Sequence, residues 1–115
     1  MNANTAADPT SCITAYITAK DREEADRIAR GLLEARLVAC VNLLEGMRSL
    51  YWWEGRIEES GECLLLAKSV AAHQDAILAK VRELHGYRVP CVVFWPLSGG
   101  NPDFLSWIGK ETGHA

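Results

Sequence analysis

The residues of this chain that could do chemistry are few and scattered. Histidine stands at positions 73, 85 and 114, cysteine at 12, 40, 63 and 91, and carboxylates gather at Glu58, Glu59 and Glu62. The cysteines lie far apart and form no C-x-x-C, so the spacing of a zinc knuckle or a redox pair is missing. Cys40, Cys63 and Cys91 sit in apolar runs, where a free thiol behaves as a small buried hydrophobe. There is no nucleophile elbow, no P-loop, no G-x-G-x-x-G after a strand and no H-E-x-x-H. With no acid, base and nucleophile set in view, the chain reads as a non-enzyme.

His85 is the residue that invites a site. It ends a helical stretch beside Gly86 and Tyr87, where the helix dipole favours a protonated ring. A neutral imidazole is also the commonest side-chain ligand for zinc or copper, and the Cys91 thiol is close in sequence. One histidine is not a site, so metal binding at His85 needs donors that only an oligomer could bring together. Its plainer role is to complete the helix end. His73 falls on an apolar helical stripe and reads as a hydrogen-bonded interior residue, and His114 belongs to a fraying C-terminus. Glu58, Glu59 and Glu62 read as a solvated strand edge rather than a hard-cation site. Gly99-Gly100 reads as a turn into a capped helix, too short for a phosphate loop.

The element that must organise these groups is residues 37–68, which read as one very long β-hairpin turning at Glu54-Gly55. Fully extended, its first arm spans roughly 55 Å, whereas a compact chain of this length has a radius of gyration near ~13 Å. The arm therefore bends at Gly46, where a glycine inside a strand marks a bulge, or its outer half projects. That outer half carries Tyr51, Trp52 and Trp53 in succession, with Tyr51 and Trp53 on one face and Trp52 on the other. Burying three such rings is worth a gross term on the order of 10–15 kcal/mol. Other copies of the chain are expected to supply the cover, with Tyr51, Trp52, Trp53, Arg56 and Ile57 at the subunit interface.

Around the hairpin, residues 12–18 form a first strand. Asp21 caps an amphipathic helix with Glu24 three positions on, in a capping box. A second helix is expected over residues 70–85 with Val70, His73, Ile77, Val81 and Leu84 on its stripe and Gly86 as a left-handed cap. Residues 91–97 form an apolar strand, and Asn101-Pro102 opens a short last helix. The order β-α-β-β-α-β plus a terminal helix predicts an α+β, ferredoxin-like sandwich with both main helices on one face of an antiparallel sheet.

The 115 residues bound a single domain at 12–109, between a disordered tail at 1–11 and a frayed end at 110–115. Hydrophobic content of 49% and a net charge of −3 suit a globular protein and give no reason to expect nucleic acid or membrane as partner. The first residues lack the basic start and apolar run of a secretory leader, so the cytoplasm is the expected compartment.

Residues 35–44 (ARLVACVNLL), residues 49–62 (SLYWWEGRIEESGE), His85-x-Tyr87-x-x-Pro90 and residues 100–108 (GNPDFLSWI) follow one another in this order. Together these four segments resemble the CutA family of divalent-cation tolerance proteins. The resemblance implies a ferredoxin-like homotrimer locked by long hairpins, a cytoplasmic setting, no catalytic activity, and a part in tolerance of copper and other divalent metals. It also implies, for members that bind copper, a cysteine near the end of the first strand and a histidine at the end of the second helix. Here the strand position is Ile17 and Leu84 precedes His85, so only His85 carries over. Gly86, Arg88 and Cys91 stand where the family commonly has proline, an acidic residue and glutamate, so a copper site would have to recruit Cys91 or a neighbouring subunit. The alternative reading is a PII-like trimeric sensor that binds a small molecule between subunits.

Overall fold

The computed structural model describes residue 8, residues 10–87 and residues 89–113. The elements run β1 (Cys12–Ala19), α1 (Arg22–Glu34), β2 (Cys40–Trp53), β3 (Arg56–Val70), a 3-10 turn (Ala71–His73), α2 (Gln74–Leu84), β4 (Val92–Pro96) and α3 (Pro102–Glu111). The strands form one antiparallel sheet in the order β2-β3-β1-β4. This is the α+β, ferredoxin-like order expected from the pattern.

Period-two alternation sorts the sheet into two faces. Ile13, Ala15, Ile17 and Ala19 of β1 and Cys63, Leu65 and Ala67 of β3 are buried on the helix side. There Ala15, Ile17, Ala19, Cys63, Leu65 and Ala67 meet Ala25, Ile28 and Leu32 of α1 and Ile77 and Val81 of α2 in one core. Each fully buried aliphatic side chain here is worth about 1.5–3 kcal/mol relative to exposure. The opposite face carries Tyr16 opposite Leu66 and Val93, and Thr14 opposite Lys68 and Trp95. Its Cys12 end lies against α3, where the Cys12 thiol is 3.6 Å from the Leu105 carbonyl oxygen, while Leu44, Val93 and Trp95 are about half exposed on it.

The bend expected at Gly46 is a β-bulge. Leu44 pairs with Leu64 and Met47 with Glu62, so Glu45 and Gly46 together face the single residue Cys63. Gly46 sits at φ +82°, a conformation open to glycine and strained for other residues. The extra residue shifts the parity of β2 by one. Beyond the bulge Met47, Ser49, Tyr51 and Trp53 share the open face with Glu62, Ser60, Glu58 and Arg56, while Leu50 and Trp52 share the other with Glu59 and Ile57. The ribbon then runs past the helices and turns at Glu54 and Gly55, both with positive φ, the signature of a type I′ turn. Trp52 is 72% exposed, and Leu50 and Ile57 are nearly as bare. The molecule measures 43 × 35 × 25 Å with a radius of gyration of 15.0 Å, elongated by this finger.

Several expectations are corrected. β3 continues through Val70, which pairs with Cys12, so the stretch expected to open the second helix is strand followed by a 3-10 turn. Pairing with β1 outweighs the helical spacing of Val70, His73 and Ile77. Gly86 is not a left-handed cap. His85 leaves the helix in an extended conformation at φ −90° and ψ 142°, and Gly86 has no positive φ. β2 begins at Cys40 rather than at residue 37, although the Ala39 N–H still donates to the Lys68 carbonyl. α3 reaches Glu111, and Thr112 is buried with its hydroxyl donating to the Ile108 carbonyl at 2.8 Å, so residues 110–112 pack rather than fray. Cys91 is exposed, not buried. His114 and most of the expected tail lie outside the described residues. No helix among the described residues is long and apolar enough to cross a membrane.

Candidate functional site

The residues that sequence reasoning singled out meet at the end of the sheet where β1 leaves, α1 begins and α2 stops. Asp21 caps α1 by accepting from the Glu24 N–H at 2.9 Å. The Glu24 side chain is fully buried and takes two further backbone donors. Its Oε1 accepts from the Lys20 N–H at 2.9 Å, which closes the capping box one residue earlier than the usual pattern. Its Oε2 accepts from the Gly86 N–H at 2.7 Å, 62 residues away. One carboxylate thus ties the start of α1 to the chain leaving α2.

His85 sits inside this tie with its ring fully buried. Its Nε2 lies 2.7 Å from the Thr18 carbonyl oxygen, which only accepts, so Nε2 carries the proton. The Tyr87 N–H donates to Nδ1 at 3.0 Å, so Nδ1 carries none. The ring is therefore neutral, its tautomer assigned from these partners, in place of the imidazolium that the helix dipole would favour. Glu24 Oε1, 3.8 Å from Nδ1, is a neighbour and not an ion-pair partner of this neutral ring. Both nitrogens are occupied, and neither offers a lone pair to a metal. Among the described residues no three His, Cys, Asp or Glu side chains converge on a point that could hold an ion. The residues present do not fit a resident copper ion at His85. Ile17 is fully buried in the core, where it supplies no ligand.

What His85 does hold is Tyr87. Besides the backbone bond, the two rings lie 4.6 Å apart at 55°. The Tyr87 hydroxyl donates to Glu62 Oε2 at 3.1 Å. Burial and the negative charge of Glu62 push the Tyr87 phenol well above its ordinary range. Partial burial and the same carboxylate push up the Cys91 thiol. Neither group is poised as a nucleophile or base near neutral pH.

Tyr87, Glu62 and Cys91 line a cleft of about 510 Å³ on the open face of the sheet, with Tyr16 and Thr18 at its floor and Tyr51, Trp53 and Glu58 from the ribbon as its far wall. Sequence reasoning placed Glu58 and Glu62 on a solvated edge. They are half-buried, and only Glu59, which pairs with Arg48 at 2.9 Å on the other face, fits that description. Tyr51 and Trp53 share this cleft, while Trp52 and Ile57 face away from it and Arg56 lies beside Glu58 at 3.8 Å. His73 behaves as expected, half-buried with Nε2 2.9 Å from the Thr112 carbonyl.

An antiparallel four-stranded sheet in the order β2-β3-β1-β4, with a bulged, projecting hairpin, defines a ferredoxin-like α+β class of small protein. Within it, this chain belongs to the family described as the CutA1 divalent ion tolerance protein, whose pattern matches residues 13–111. The "Divalent-cation tolerance protein CutA" of Pectobacterium atrosepticum is 47% identical over 94 residues, which is 82% of this chain and 86% of that protein. The crystal structure of CutA from Xylella fastidiosa superposes with a TM-score of 0.87 at 37% identity, covering 89% of this chain and 98% of the other. The structure of a protein from Archaeoglobus fulgidus, described as the periplasmic divalent cation tolerance protein CutA, superposes at 0.85 with 38% identity over 88% of this chain and 98% of its own.

Proposed function

We propose that this protein acts in tolerance of divalent metal ions, copper among them, as a non-enzymatic homotrimer whose contact with the ion is weak or indirect. The observation that carries the assembly is the bare aromatic finger. Leu50, Trp52 and Ile57 stand exposed beyond the helix layer on one face, with Tyr51 and Trp53 more than two-fifths exposed on the other. Rings of this size are worth several kcal/mol when covered, and β2 is a sheet edge with unpaired backbone groups beside them. A neighbouring copy that covers Trp52, Arg56 and Ile57 and pairs along the edge satisfies both. The Tyr87 phenol and the Cys91 thiol at the cleft are both pushed up, away from a nucleophile's or base's working range near neutral pH, which supports a role other than catalysis. A reducing compartment suits an exposed Cys91 that forms no disulfide among the described residues, and supports a cytoplasmic setting, in contrast to the relative described as periplasmic.

The test is growth of a host lacking its own relative, complemented with this chain or with Trp52→Glu, across a series of copper and zinc concentrations. Restored tolerance by the parent chain and loss with Trp52→Glu is expected. Equal growth with and without the chain would remove the proposal. Calorimetric titration of chelator-treated protein with Cu(I), Cu(II) and Zn(II) is expected to give only weak heats.

A further inference from the structure

The cleft on the open face of the sheet has a chemistry that metal tolerance does not use. At about 510 Å³ it lies within the range of small-molecule sites. Four aromatic side chains line it, Tyr16, Tyr51, Trp53 and Tyr87, together with two carboxylates, Glu58 and Glu62. The two carboxylates are not equivalent. Glu58 has Arg56 3.8 Å away at the rim. Glu62 is half-buried, gives one oxygen to the Tyr87 hydroxyl at 3.1 Å, and has no cationic partner among the described residues. A partly desolvated carboxylate against aromatic rings is an uncompensated negative charge, and it favours whatever cation can reach it. The rings add to that preference, because the face of an aromatic ring attracts a cation within about 6 Å of its centre.

We propose that this cleft binds a small organic cation bearing an alkylammonium group, the ammonium donating to Glu62 while its alkyl part lies between Tyr51, Trp53 and Tyr87. An inorganic divalent ion fits less well, because the described residues supply no three converging ligands and a protonated Cys91 thiol is a poor one. An anion is excluded by the two carboxylates. Tyr87 stays protonated and points its hydroxyl at Glu62, so the second Glu62 oxygen is left to the ligand. His85 is then a positioning residue, setting the Tyr87 ring and backbone from behind. The assignment goes beyond divalent-ion tolerance and does not rest on it.

The experiment is calorimetric titration of the assembled protein with n-butylammonium, against n-butanol as the neutral isostere, butyrate as the anion, and zinc. Saturable binding of n-butylammonium alone is expected. Glu62→Gln keeps the shape and removes the charge, and should weaken binding about tenfold or more. Trp53→Leu should weaken it several-fold. Glu59→Gln, on the other face of the ribbon, should leave the affinity unchanged. Each variant is compared only after its circular dichroism and its mass by light scattering match the parent. Equal binding of butanol, an unchanged affinity in Glu62→Gln, or saturation by zinc alone would overturn the proposal. So would no binding of n-butylammonium, the result expected if a basic side chain of a neighbouring copy already fills the cleft.

Discussion

Glu24 is the strongest test of how this chain is held together. It is a fully buried carboxylate whose stabilisation comes from two backbone donors far apart in sequence, Lys20 and Gly86, at 2.9 and 2.7 Å. Arg27 at 3.7 Å is half exposed and adds little. Hydrogen bonds to a charged group are worth about 1.5–3 kcal/mol each, and the two fall on the two oxygens of one carboxylate, so they do not add fully. Glu24→Ala should therefore destabilise the protein by about 3–5 kcal/mol, leaving two backbone N–H groups without their acceptor. Glu24→Gln keeps one acceptor oxygen but turns an NH₂ group toward the other donor, so about half to most of that loss is expected. The assay is urea unfolding at fixed protomer concentration, since an oligomer's stability depends on it. Hydrogen exchange should show Gly86 and Tyr87 losing protection in Glu24→Ala before the core strands do. A midpoint for Glu24→Ala within about 0.5 kcal/mol of the parent, or Gly86 still as protected as before, would refute the latch.

Further outcomes follow from the same structure. Gly46→Ala has open space around the new Cβ, so its cost is the backbone conformation at φ +82° alone; about 1 kcal/mol or more of lost stability is expected by urea unfolding. Glu54→Asn places a residue suited to positive φ at the turn, where Glu54 now sits at φ +50°, and should gain a few tenths to about 1 kcal/mol. If the proposed trimer forms, Trp52→Glu should lower the mass seen by light scattering from about three times the 12.7 kDa protomer toward one; an unchanged mass would deny Trp52 its place at the interface. The Tyr87 phenol is raised above its unfolded value by burial and Glu62. The stability this contributes is complete below about pH 10 and is lost as pH rises further, because the unfolded state releases its proton first. Tyr87→Phe should accordingly flatten the fall in stability seen as pH rises above about 10.

The bulge at Gly46 connects these predictions to the proposed functions. The two-against-one count opposite Cys63 sends Tyr51 and Trp53 to the open face and Trp52 to the other. Without it the parity would reverse, and the cleft would lose its far wall. One glycine at positive φ thus decides which rings line the cleft and which wait for a neighbour.

Local chemistry determined much of this protein from sequence alone. Glu54-Gly55 between β-favouring runs set the turn, the lone glycine at 46 set the bulge, and Asp21 with the spacing of Ala25, Ile28, Ala29 and Leu32 set α1. Four spaced motifs carried the family, because each lies within a short local stretch of the chain. What depended on partners distant in the chain was decided only by tertiary structure. Val70 became strand because Cys12 pairs with it, and Gly86 stayed out of the left-handed region, its N–H held by Glu24. His85, open to metal ligation in the sequence, lost both ring nitrogens to Thr18 and Tyr87. Glu58 and Glu62 left the solvated edge for a cleft whose other walls come from β1 and the segment after α2. A hydrogen bond or a desolvated charge depends on who stands opposite, and separations of 62 and 67 residues put that beyond any local pattern.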